Sequence, residues 1–545
     1  MKNKKLPAEL IIIIGAAILF LPFLGLTHLF DWDEVNFAEA SREMLETHNY
    51  SIPQIDFQPF WEKPPLFFWL QVISMRLFGI NEFASRLPNA LCGILTLLVL
   101  FRIGKRLVNE KFGWMWVLVY AGSLLPQFYF KSGIIDPWFN LFIFLSIYQL
   151  SLYTNNSPGY KVRHILLAGL FCGLAVMTKG PVALLIIGLC YCIYAIATRF
   201  RNFMPLKDIF LFLLLTASVG SIWFIALLIK GEQQVIIDFF KYQIKLLTTE
   251  DAGHGGPFFY HFIILLLGCF PAAALSIMAM RGVRNTRELP SHFHRWMMIL
   301  FWLVLILFSI VKTKIVHYSS LCYFPLTFLA TVSFYEIWMK KRKIPVWNKW
   351  LQFFTGLLIT IGIIAASTIE KWKSILLKPG MIDDEFAKAN LQANVHWSGF
   401  EILPGLLLLA GLAGYLFYSN KNNRKAVLIL FISSIIGINL TIVLITPKVE
   451  PYSQGAMIDF YASKKDDRAV VETVRFKSYA NLFYAKRAPD LGKKETDSIL
   501  QFNTHPEVTV YYVGKIQNTA ENEKENPSLM RLYSKNGFVF YKLKR

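Results

Sequence analysis

The chain has 545 residues, 55% of them hydrophobic and 15% aromatic, with a mean hydropathy of +0.44; this is more apolar surface than a soluble core can bury, and it comes in runs of about 20 residues, the pattern of a polytopic membrane protein. The net charge of +20 sits in short basic clusters between those runs, as in loops that face anionic lipid, so no nucleic-acid partner is implied. All six cysteines fall inside apolar runs, which argues against a disulfide framework and against a cysteine-based zinc site.

The first apolar run, 9–30, follows Lys2, Lys4 and Lys5. It is longer than the apolar part of a signal peptide and has no small-x-small cleavage pattern at its end, so it reads as a retained helix with a cytoplasmic N-terminus. The segment 31–86 then interrupts the apolar pattern. It opens on the acidic pair Asp33 and Glu34, and later carries Glu62 and Lys63 directly before Pro64 and Pro65, which bar a helix from running through them. Acids held at a membrane surface are rarely there for packing alone. Further runs follow at 87–107, 112–130, 137–154, 164–178, 181–198, 208–229, 258–280, 296–311, 317–337, 347–368, 400–418 and 426–446, about thirteen in all by the length a bilayer requires.

Alternate loops are basic, as a correct assignment requires: Lys105 and Arg106, Lys161 and Arg163, Arg199 and Arg201, Arg281 and Arg284, Lys340 to Lys343, then Lys421 and Arg424. The other face receives Asp33, Glu34, Glu62, Lys63, Lys131, Asp136, Lys179, Asp251, His254, Lys312, Lys314, His317 and Tyr318. Polar groups far apart in sequence thus converge on one membrane face, where an active site would be sought. From Pro447 the chain turns polar and of mixed charge, with short β-branched or aromatic runs at 469–474, 508–513 and 538–543, while 521–526 reads as a solvated loop. The expected fold class is a polytopic α-helical membrane protein, with a transmembrane part over 1–446 and a small extracytoplasmic α/β domain over 447–545.

Several motifs carry a resemblance. Asp33-Glu34 followed by AEASREM, WEKPPLFFW at 61–69, FGINEFASRLP at 78–88, Ile135-Asp136-Pro137, GLAVMTKG at 173–180, EDAGHGGPFFY at 250–260, and Lys314 and Tyr318 ahead of Pro325 resemble bacterial lipid A aminoarabinose transferases (ArnT). More broadly they are similar to the protein O-mannosyltransferase superfamily of GT-C fold. The likeness runs in order through roughly the first 340 residues. It implies transfer of a sugar, with inversion, from a polyprenyl-phosphate donor, undecaprenyl phosphate being the expected carrier, to lipid A or a related glycolipid on the periplasmic face of the bacterial inner membrane. Immediately after His254 the chain has Gly255 and Gly256 where relatives carry basic residues, and Phe37 stands in place of a tyrosine, so donor sugar and acceptor stay open.

The chemistry suits these residues. Displacing a lipid phosphate from an anomeric carbon builds positive charge on the sugar and negative charge on the leaving group, so a cation at the phosphate lowers the barrier. By the resemblance Lys63 contacts the phosphate, with Lys179, Lys314 and Tyr318 as helpers. Phosphate leaves as a stable anion, so the remaining need is a carboxylate to orient or deprotonate an acceptor hydroxyl. Asp33 is the first choice, with Asp136 and Glu34 beside it; toward an ionised phosphate acceptor Asp33 would instead orient groups or steady the oxocarbenium charge. No cofactor is required for this transfer, though the resemblance implies a zinc ion held by Glu62 and His254, an incomplete ligand set by itself.

Plain structural alternatives stand beside each reading. Asp33 and Asp136 suit helix starts, the lysines suit lipid headgroups, and His254 suits a solvated glycine-flanked loop. A protein O-glycosyltransferase of the same fold and a transporter of the lipid-linked sugar are the competing functions. A transporter calls for charges near the bilayer midplane, whereas here they gather at one boundary.

Overall fold

The computed structural model describes residues 6–155, 161–201, 203–248, 255–282, 289–502 and 504–544. Among them, seven helices are long and apolar enough to cross a bilayer, from Glu82–Leu107 to Asn423–Tyr452, and three sharply bent helix pairs raise the number to as many as ten. Each apolar run in the sequence contains helix, but fewer than thirteen are uninterrupted spans. The departures follow local chemistry. The first helix stops at Phe20, one residue before Pro22 would constrain its neighbour and short of Phe23 at φ +64°. The run 112–130 divides into Glu110–Ala121 and Leu124–Phe128. The segment Leu124–Lys131 meets Asp136–Thr154 at 120°, so the latter starts afresh with Pro137 in its first turn.

The segment Val316–Trp338 is buried along its whole apolar window and forms the centre of the bundle. Helices Ala272–Met280, Glu110–Ala121 and Ser291–Ile310 pack around it. Aromatic side chains fill the contacts: Phe144 stacks on Phe324 with centroids 4.4 Å apart, and the indole N–H of buried Trp116 donates to Thr327 Oγ1 at 3.2 Å. Helices Glu82–Leu107 and Glu110–Ala121 approach through glycine, because a Cβ on Gly113 would lie 2.6 Å from the Phe101 carbonyl oxygen. Small residues at such crossings let backbones approach, a recurrent device in bilayers.

The segment 31–86 is itself largely helical, with Asp33–Thr47 and Leu66–Phe78 joined through a small hairpin, Gln54–Ile55 paired with Gln58–Pro59. The turn residues Asp56 and Phe57 both have positive φ, as a two-residue hairpin demands. Their N–H groups donate to the Glu43 carboxylate at 2.7 and 2.8 Å. Over this layer lies the C-terminal sheet, with strands in the order Ala469–Val474, Thr509–Lys515, Phe538–Leu543, Leu529–Lys535. The first pair is parallel and the others antiparallel. The strand Leu529–Lys535 was not expected from the sequence. The stretch read as a solvated loop is the helix Thr519–Glu525, held by its fully buried Asn522. Arg487 ties this sheet to the hairpin, with Asp56 at 3.0 Å and Glu472 at 2.7 Å.

Candidate active site

Helix termini and one tight turn bring four expected or unexpected groups together. Asp33 opens helix Asp33–Thr47, Asp136 opens helix Asp136–Thr154, and Lys179 closes helix Lys161–Lys179, which ends because Gly180 takes φ +96°. Acids at the starts of helices and a lysine at the end of one each sit favourably in the helix dipole. Between them stands His317, in the 3-10 turn Val316–Cys322. Its Nε2 lies 3.2 Å from Asp33 Oδ2 and 3.8 Å from Asp136 Oδ2. Lys179 Nζ is 2.6 Å from Asp136 Oδ1 and sits over the Tyr318 ring at 5.1 Å. Asp33 is the accessible carboxylate, with 32% of its side chain exposed against 5% for Asp136.

Two groups at this site, Asp33 and Lys63, have displaced proton affinities. Burial works against ionising Asp33, but the hydrogen bond and charge of His317, with Lys63 and Lys179, outweigh it and hold the carboxyl below its ordinary value. For Lys63, burial is the leading influence and Lys179 adds to it, so the ammonium sits below the usual lysine value even with Glu62, Asp33 and Asp136 opposing. Lys63 follows from its turn: Pro64 and Pro65 precede helix Leu66–Phe78, and its Nζ is 5.4 Å from the Tyr242 ring centroid. The result is a carboxylate with cations ranged on one side, suited to holding a sugar between an anionic leaving group and a nucleophile.

Other expected site residues have different employment. Glu34, expected beside Asp33 in the chemistry, is 3% exposed and makes a bidentate pair with Arg86 at 2.8 and 2.9 Å. It also accepts from the N–H groups of Gly133 and Phe30, which fixes the Asp33 helix against the bundle. Lys314 likewise does not join the cluster. Its ammonium donates to the carbonyls of Phe308, Ser309 and Val311 at the end of helix Ser291–Ile310, which uses its three donors. Glu62 Oε2 accepts from Tyr242 Oη at 3.1 Å. His254 lies outside the described residues. Among the described residues no group of three His, Cys, Asp or Glu could hold a metal ion, so the residues on view do not make up the implied zinc site and no step runs through it.

His317 is the group that sequence reasoning assigned to the right face but gave no role. Its turn is anchored from behind: Ser320 Oγ lies 2.9 Å from Tyr129 Oη, and Asn140 Nδ2 donates to both at 2.7 Å. The only signal was its place one residue before Tyr318 on the polar face.

Comparison with known proteins agrees with this picture. The model of the dolichyl-phosphate-mannose-protein mannosyltransferase family matches residues 62–223. The undecaprenyl phosphate-alpha-4-amino-4-deoxy-L-arabinose arabinosyl transferase of Pectobacterium carotovorum subsp. carotovorum (strain PC1) is 27% identical over 435 residues, 75% of this chain and 76% of that protein. Its counterpart in Edwardsiella ictaluri (strain 93-146) is 31% identical over 307 residues, 54% of each chain. The crystal structure of ArnT from Cupriavidus metallidurans bound to undecaprenyl phosphate superposes with a TM-score of 0.74 at 17% identity, covering 98% of this chain and 97% of that one. The fold of bundle and overlying sheet is that of the ArnT crystal structure, and the sequence is similar to membrane glycosyltransferases of the GT-C class. Within that class the chain is ArnT-like.

Proposed function

We propose that the protein transfers a sugar from an undecaprenyl-phosphate-linked donor to lipid A, or a related envelope glycolipid, at the periplasmic face of the inner membrane. The observation that carries this is the run Asp33, His317, Asp136, Lys179 at helix ends, with Lys63 near enough to act on the charge of Asp33. The names of the relatives supply the donor, the resemblance of the sequence motifs to lipid A aminoarabinose transferases suggests the acceptor, and the alternating basic loops suggest the orientation. Lys63 and Lys179 take the donor phosphate and stabilise it as it leaves. Asp33, kept ionised, faces the anomeric centre from the other side and orients the acceptor; for a phosphate acceptor it needs to remove no proton. His317 holds Asp33 in register. An apolar groove of about 520 Å³, lined by Ile193, Met298, Trp302 and Ile310, lies along helix Ser291–Ile310 and suits a polyprenyl chain.

Mass spectrometry of lipid A and of envelope proteins, from cells with and without the gene, tests the proposal. The expected result is loss of one sugar mass from lipid A in the deletion and its return with the wild-type gene. Asp33→Asn should fail to restore it, with transfer down by about 10² or more at unchanged protein level. The match to a protein mannosyltransferase model favours one competing acceptor, and a sugar lost from envelope proteins with lipid A unaltered would select it.

A further inference from the structure

At the end of the bundle remote from Asp33 is a second charged concavity that sugar transfer does not use. The helix Tyr323–Trp338 begins directly after the His317 turn and is 16 residues long, which carries the chain roughly 24 Å at 1.5 Å per residue. Beyond its far end, a cavity of about 650 Å³ opens between the end of that helix, the start of Val346–Ser367, the end of Leu403–Ser419 and the start of Asn423–Leu444. Its lining carries Lys340, Arg342, Lys343, Lys349, Lys421 and Arg424 and no acidic residue.

These cations are unevenly compensated. Arg342 is neutralised behind the wall by Glu336 at 3.0 Å, and Lys349 donates to the neutral amide of Asn420. Arg424 lays its guanidinium on Trp338 at 5.4 Å, and its Nε is buried with no hydrogen-bond partner among the described residues. The N-terminus of helix Asn423–Leu444, whose dipole favours negative charge, opens on the same space. Two of the helices that form this rim, Val346–Ser367 and Leu403–Ser419, expose apolar side chains: Val346 at 67%, Phe354 at 60%, Phe417 at 57% and Trp350 at 51%. A free anion has no use for such a rim, whereas the acyl chains of a lipid do.

The geometry points to a binding site for an anionic phospholipid bearing two phosphates, seated headgroup-first in this cavity from the leaflet opposite the sugar-transfer site. Five cations with no acidic partner among the described residues exceed what one phosphodiester neutralises, and basic pockets between helices at this depth suit diphosphate headgroups. The bound lipid would pin together four helix ends that otherwise repel one another.

The test is native mass spectrometry of the full-length protein released from nanodiscs containing cardiolipin, phosphatidylglycerol or phosphatidylcholine, beside a titration with inorganic phosphate. Cardiolipin should stay bound to the wild type in preference to the other two lipids. The double variant Lys343→Gln/Lys421→Gln, which alters two exposed side chains, should weaken retention roughly tenfold to thirtyfold; Arg424→Gln should do the same where it folds. Equal retention by wild type and double variant overturns the proposal, as does phosphatidylcholine held as firmly as cardiolipin. Displacement by millimolar inorganic phosphate also overturns it, in favour of a simple anion site. Lipid retention is read without any sugar transfer, so the outcome is independent of the assignment at the outer face.

Discussion

At the scale of single residues, the Asp33–His317 contact decides the behaviour of the site. Taken alone, burial would raise the Asp33 pKa above 3.8, and His317 is the chief influence that reverses this. A carboxylate whose folded pKa is depressed keeps its charge, and whatever depends on that charge, until pH falls through the lowered value. Transfer by the wild type should therefore show no acid limb attributable to Asp33 above the ordinary carboxylate range. His317→Ala removes the hydrogen bond and leaves the burial, so its acid limb should move to higher pH. Rate against pH in membrane vesicles measures this, and superimposable acid limbs would exclude His317 as the partner that matters. Glu34, one position along, behaves otherwise. Glu34→Ala leaves the Arg86 guanidinium, 3% exposed, buried without its counter-charge at a cost of about 3–5 kcal/mol. Loss of monodisperse protein on size exclusion in detergent is expected, and a well-folded variant with transfer abolished would restore Glu34 to the chemistry.

At the scale of elements, the sequence was legible where periodicity and composition act alone and illegible where contacts decide. Apolar runs located the helices, and β-branched runs located the strands Ala469–Val474 and Phe538–Leu543 to the residue. The strand Leu529–Lys535 escaped because its outward side chains include Arg531 and Lys535, as in an edge strand, and it is mostly exposed. Adjacent acids at 33 and 34 look equivalent in sequence. They separate only because one turn of helix aims Asp33 at His317 and Glu34 at Arg86. The role of Lys314 was hidden for a similar reason, since no sequence pattern reveals that the chain doubles back to place its ammonium on the last carbonyls of Ser291–Ile310. Close helix contacts do follow from composition once glycine is weighed. Gly113→Val puts branched carbon where even a Cβ meets the Phe101 carbonyl at 2.6 Å. Separation of those two helices should cost about 1–3 kcal/mol, as overpacking does, read as a lower midpoint of thermal aggregation than the milder Gly113→Ala gives.

At the scale of the whole molecule, the bundle, the outer helices and the C-terminal sheet act as one unit because the chain's beginning is tied to its end. Leu29 donates its N–H to Tyr484 Oη at 2.7 Å and accepts from Gln454 Nε2 at 2.9 Å. Beside them His28 Nδ1 meets the buried Glu450 carboxylate at 2.5 Å. That bond is the leading reason the His28 pKa lies above 6.5. A histidine with a raised folded pKa contributes stability that is fully present below its unfolded value, near 6.5, and is lost as pH rises through the folded value. The attachment of the sheet to the start of the Asp33 helix is thus firmer in mildly acidic conditions. With His28→Gln the thermal midpoint should fall most below pH 6.5 and converge on the wild type in alkaline buffer. Differential scanning fluorimetry from pH 5.5 to 9, a range from about one pH unit below an ordinary histidine to about two and a half above it, checks this, and a gap that stays constant across the range would mean that the His28 proton does not hold the sheet in place. Because the same joint sets where Asp33 begins its helix, the variant should also lose transfer activity in proportion to the sheet it releases, in the acid arm of the range and not in the alkaline one.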